Sequence, residues 1–105
     1  MTPTVTTPDP AVFPEDVRRF AAERGVTAYL VPLYELTRRC FPGAEIAVTQ
    51  QNDYEIPDLG WIVYEVAVYD TWDDEPRRAA HRLWIEELVR TVPPDAREPF
   101  VVGMR

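Results

Sequence analysis

Not one lysine occurs among the 105 residues; all eleven basic side chains are arginines, which we read as the codon bias of a GC-rich bacterial genome. A single cysteine, Cys40, excludes an internal disulfide framework, so packing alone must hold the fold. Only four glycines are present, at 25, 43, 60 and 103, each where a helix or strand should begin or end. That scarcity argues against a glycine-rich phosphate cradle. P-loop, CxxC, HExxH and GxSxG patterns are all missing, and no cofactor is expected. No run approaches the roughly 18 apolar residues that cross a bilayer. No basic region precedes an apolar one near the N-terminus, so no signal peptide is read there. With 46% hydrophobic residues, one soluble cytoplasmic domain is the expectation.

The charge is unevenly spread. Between Gly43 and Glu75 lie nine carboxylates and no basic residue, so this segment carries −9 in a chain whose total is −7. Such a field repels nucleic acid and anionic membrane surfaces and leaves a basic protein as a possible partner.

Residues 1–13 hold Pro3, Pro8, Pro10 and four threonines without periodicity, which predicts a flexible arm preceding a domain at 14–105. Pro14 with Glu15 and Asp16 opens a first helix that Gly25 stops. Thr27 is placed to cap a second, whose stripe is Tyr29, Leu33, Leu36 and Cys40; Pro32 must either kink it or lie near its start. Residues 44 to 49 alternate as a strand with one wetter face. Residues 61 to 69, WIVYEVAVY, are apolar on both faces but for Glu65, which predicts the middle of a sheet. Between them, residues 52–60 make a long hairpin loop.

A third helix is expected from about Asp74 to Val92, with Thr71 and Asp74 resembling a capping box. Its apolar arc is Ala80, Trp84, Leu88, Val92, Ile85 and Val89, opposite a ladder of Arg82, Glu86 and Arg90. FVVGM, 100 to 104, reads as a last strand running parallel to the second. The predicted fold is α+β with two layers: α-α-β-β-α-β, a small three-stranded mixed sheet, and helices on one face.

Three helices on one side leave Trp61, Val63, Ala67 and Tyr69 uncovered on the other, with Asp53, Glu55 and Asp58 as an acidic rim. This predicts a non-catalytic protein–protein contact, most simply a homodimer through the open face. Two alternatives use other residues. An acidic, antitoxin-like or decoy protein would engage a basic partner through the −9 segment. An enzyme would use His81, the only histidine, as an acid–base group near Tyr64 or Cys40.

The bland reading of His81 is a helix residue at the edge of the core, and that of Cys40 a small core side chain. The loop carboxylates lack EF-hand spacing, and Asp70, Asp73, Asp74 and Glu75 fit a helix N-terminus, so no metal site is predicted. The two acidic clusters stand at opposite ends of a strand, roughly 30 Å apart, and cannot build one site. Arg18-Arg19, Arg38-Arg39 and Arg77-Arg78 lack interleaved aromatics and read as solvated helix surface.

Overall fold

Each helix ends where its sequence stops supporting it. In the computed structural model, which describes residues 11–105, α1 spans Glu15–Glu23 with Pro14 at its N-cap and two carboxylates in its first turn. Gly25 and Gly43 follow α1 and α2 with φ of 70° and 80°, a region costly for any residue with a Cβ. A 3₁₀ turn at Thr27–Tyr29 leads into α2, Leu30–Cys40. Pro32 therefore lies in the first turn of α2, where its missing N–H removes no helical bond, and the helix needs no kink.

The strands are β1, Glu45–Asn52, and β2, Gly60–Ala67; α3 follows at Asp74–Thr91, and β3 at Phe100–Met104 closes the order α-α-β-β-α-β. The sheet order is β1-β2-β3. β1 pairs antiparallel with β2 from Glu45↔Ala67 to Asn52↔Gly60. β3 pairs parallel with β2 from Ile62↔Phe100 to Val66↔Met104. β2 is thus the central strand.

One face of β2 presents Ile62, Tyr64 and Val66, all fully buried in a core shared with Leu30, Leu33, Leu36, Trp84 and Val92. Two buried hydrogen-bond connections fix this layer. The Tyr64 hydroxyl donates to the Leu30 carbonyl at 2.8 Å, tying β2 to α2. Trp84 Nε1 donates to Thr37 Oγ1 at 2.9 Å, and that hydroxyl donates onward to the Leu33 carbonyl at 2.6 Å. Among the described residues no buried side-chain nitrogen or oxygen lacks a partner, as a dry core requires.

Several local expectations shift. Residues 1–10 of the expected arm lie outside the described residues, but Phe13 is buried, with its ring edge-on to Tyr34 at 5.9 Å. β1 runs three residues further than its alternation indicates, because Gln50, Gln51 and Asn52 keep ladder partners in Ile62, Trp61 and Gly60. The N-cap of α3 is Asp73, and it makes no side-chain cap hydrogen bond, so no capping box forms. Ile85 and Val89 are about half exposed, since α3 buries only the narrower stripe of Ala80, Trp84 and Leu88. Arg90 pairs with Glu87 at 3.2 Å rather than with Glu86.

Replacing Thr37 with valine keeps the side-chain shape and leaves Trp84 Nε1–H without its acceptor. We expect a loss of about 1–3 kcal/mol in urea unfolding. An unchanged midpoint would show that the hydroxyl does not hold α3 to α2.

Candidate functional site

Side chains alternate along a strand, so the register that buries Tyr64 turns its neighbours the other way. Trp61, Val63, Glu65 and Ala67 of β2 face away from the helices. Their ladder partners on β1 are Gln51, Thr49, Ala47 and Glu45. On β3, Val101 stands beside Val63 and Gly103 beside Glu65. No described element covers this surface.

The middle of the face brings Ala47 and Gly103 beside Glu65, and Thr49 and Val101 beside Val63. A Cβ on Gly103 would meet Val63 Cγ1 at 3.3 Å and Glu65 Cγ at 3.9 Å, so a side chain there would crowd Val63. Val63 is only 8% exposed although it lies outside the main core, screened by its strand neighbours. Trp61 and Ala67 are half-buried, and Val101 is 37% exposed. Glu65 sits among these groups with one long hydrogen bond, donated by Gln51 Nε2 at 3.5 Å. At one end of the face Glu45, Ala67 and Arg105 line an open depression of about 760 Å³ with Asp70 and Thr71.

At the opposite end stands the hairpin loop. The Asp53 carboxylate accepts from the backbone N–H groups of Glu55 at 2.8 Å and Ile56 at 3.0 Å. Leu59 N–H donates to the Ile56 carbonyl at 3.0 Å, and the Arg24 guanidinium donates to the Asp58 carbonyl. These bonds leave Tyr54 93% and Ile56 54% exposed at the tip, beside the side chains of Asp53, Glu55 and Asp58.

The predicted site residues therefore divide. Trp61, Val63 and Ala67 share the open face, and Asp53, Glu55 and Asp58 border its Trp61 end. Tyr69 stands apart: it follows the end of β2, and the Arg77 guanidinium lies over its ring at 4.7 Å. Val101, Gly103 and Arg105 were not foreseen as part of the face. The signal lay in the alternation of FVVGMR, but it becomes readable only once the register of β3 against β2 is known.

The titratable groups of the interior are held in their neutral forms. Burial raises the Cys40 thiol above its ordinary value of 9.0; Glu87 adds to the rise and Arg39 opposes it. A protonated buried thiol is a poor nucleophile. Burial also raises the Tyr64 phenol well above its ordinary value of 10.0. His81 is half-buried on α3. Among the described residues no group of three His, Cys, Asp or Glu side chains is placed to hold a metal ion, and no helix is long and apolar enough to cross a membrane.

The arginine pairs are largely engaged within the molecule. Arg19 pairs with Glu15, Arg38 with Glu35, and both Arg77 and Arg78 with Asp74. Exposed pairs of this kind are worth a few tenths of a kcal/mol each. No family model, no curated protein and no solved structure matches the chain.

Raised values at Cys40 and Tyr64 mean that the folded state keeps protons that the unfolded chain gives up. Their contribution to stability is complete below the ordinary values of 9.0 and 10.0 and is lost as pH rises past them. Urea unfolding followed from about pH 7 to about pH 11 should show this alkaline decline. Tyr64→Phe should be less stable at neutral pH and should decline less steeply. Equal slopes in the two proteins would show that the buried phenol is not its source.

Proposed function

We propose that the protein is a small, non-catalytic protein–protein interaction module whose contact surface is the helix-free face of its sheet, closed by a second copy. The observation that carries this reading is the placement of Trp61, Val63, Ala67 and Val101 on a surface that no described element covers. Apolar side chains gathered on one flat face favour a contact that removes them from water, and each Å² so buried contributes roughly 25 cal/mol before ordering costs. Two-fold pairing is the simplest closure, since it uses one patch twice.

A second reading has its own support. The exposed Tyr54 and Ile56 stand among Asp53, Glu55 and Asp58, in a segment without a single basic residue. That combination fits an apolar cleft with a basic rim on a different protein, in the manner of an antitoxin or decoy, and such binding would weaken steeply with salt. An enzyme reading has less behind it. Cys40 is a buried neutral thiol, and the Tyr64 hydroxyl is committed to the Leu30 carbonyl.

Val63→Arg tests the face directly, because it sets a charge in the centre of the proposed contact without touching the helix-side core. Sedimentation velocity over a concentration series should show wild-type self-association and a monomeric variant with an unchanged far-UV spectrum. A variant that associates as the wild type does would remove the face from consideration.

A further inference from the structure

The geometry points to a particular arrangement of that pair: a two-fold axis lying in the interface parallel to β2, with Glu45 of each subunit on Arg105 of the other. This rests on the self-pairing reading above and adds its register, its selectivity and a built-in limit on its strength.

The face is a grid of three strands, and the charges on it are few and placed unequally. Glu45 is on β1, at one edge, level with Ala67 of β2. Arg105 directly follows β3, at the other edge. Its N–H donates to the Val66 carbonyl, and its own carbonyl accepts from Val68 and Tyr69, so the ladder continues through it. Alternation from Val101 and Gly103 turns its side chain to the open face, and the depression it lines together with Glu45 and Ala67 places all three on one surface. Two strand spacings separate Glu45 from Arg105, about 9.6 Å between backbones, and neither belongs to an ion pair among the described residues.

A two-fold axis parallel to the central strand keeps the level along the strands and exchanges the two edges. It therefore carries β1 of one subunit over β3 of the other. Glu45 meets Arg105 of the partner subunit, and the symmetric pair forms at the same time. At the next levels Ala47 meets Gly103, and Thr49 meets Val101. Along the axis Val63 and Trp61 each meet their own copies. An axis across the strands instead sets Glu65 against Val63 and leaves both corner charges without a counter-ion. The corner charges thus favour the first arrangement.

The same arrangement contains one unfavourable contact. Glu65 lies on the central strand, so the axis brings it against its own copy, with only the Gln51 hydrogen bond to offset the repulsion. Area also limits the pair. Two strands of eight residues and one of five fit within a face of about 14 Å by 26 Å, so two faces contribute at most roughly 750 Å². Specific stable interfaces begin near 1,200 Å². The dimer is therefore weak and reversible, and Glu65 acts as its brake.

The test is sedimentation equilibrium at low salt on the full chain and four variants. Wild type should dimerise with a micromolar or weaker constant. Glu65→Gln should tighten it about tenfold by removing the like charges. Glu45→Arg and Arg105→Glu should each weaken it about tenfold, and the double variant should return to near the wild-type constant, since exchanging both charges rebuilds both cross pairs. Far-UV spectra check that each variant is folded.

If Val63→Arg abolishes association while the charge exchange restores nothing, the face pairs in another register. This arrangement is then wrong and the functional reading survives. If neither wild type nor Glu65→Gln associates at millimolar concentration, self-pairing itself is overturned. The face then belongs to another occupant, such as a basic protein or this chain's own residues 1–10.

Discussion

The buried hydroxyl of Thr37 is the contact on which the architecture turns. It accepts from the Trp84 indole on α3 and donates to the Leu33 carbonyl on its own helix, so one oxygen both anchors α3 to α2 and is itself held in place by α2. One strand of the sheet is joined to the same helix through Tyr64 and Leu30. α2 is therefore the common support. A buried indole N–H or phenol that missed its acceptor would lose the full desolvation cost of the group, so alternative packings of α3 are penalised. With α3 fixed over α2, the chain returning from it has one edge of β2 to join, and β3 takes it in the parallel sense.

All of the helical mass consequently lies on one side. Tyr64 and its neighbours at 62 and 66 lose contact with water, while the residues between them keep one flank free. The two faces of β2 differ in composition accordingly. The inner one carries Ile62, Tyr64 and Val66, which fill volume, and the outer one carries Trp61, Val63, Glu65 and Ala67, beside Ala47 of β1 and Gly103 of β3. An uncovered sheet face without a deep cleft suits the approach of a second broad surface better than that of a small molecule, which needs concavity.

Much of the fold was legible because its signals were local. Alternation with one wetter face marked β1, a double-sided apolar run marked β2 as central, and proline and glycine punctuated the helices. The misses were also physical. Gln50 to Asn52 look like loop in composition, and only cross-strand pairing with Trp61 and Ile62 keeps them in β1. The span of the apolar arc on α3 overstated its contact, because Ile85 and Val89 lie about 100° round the helix from the buried stripe of Ala80, Trp84 and Leu88. On the open face, the residues of β2 could be named from alternation alone. Arg105 could not, since its side depends on a register set by a partner strand far away in sequence. Tyr69 was assigned by extending the alternation past Ala67, where β2 ends; beyond it the Tyr69 ring lies under the Arg77 guanidinium.

The parallel pairing of β3 also bears on how the chain reaches its native state. β1 and β2 are neighbours in sequence and can zip from their hairpin, whereas Ile62 and Phe100 are 38 positions apart. A nascent chain will hold the hairpin and helices before β3 is available, with one side of β2 bare. Its apolar run is then a template for any other extended chain, and sheets with an unprotected inner strand are prone to aggregate. The interval between synthesis of β2 and capture of β3 is therefore when this apolar run is least protected.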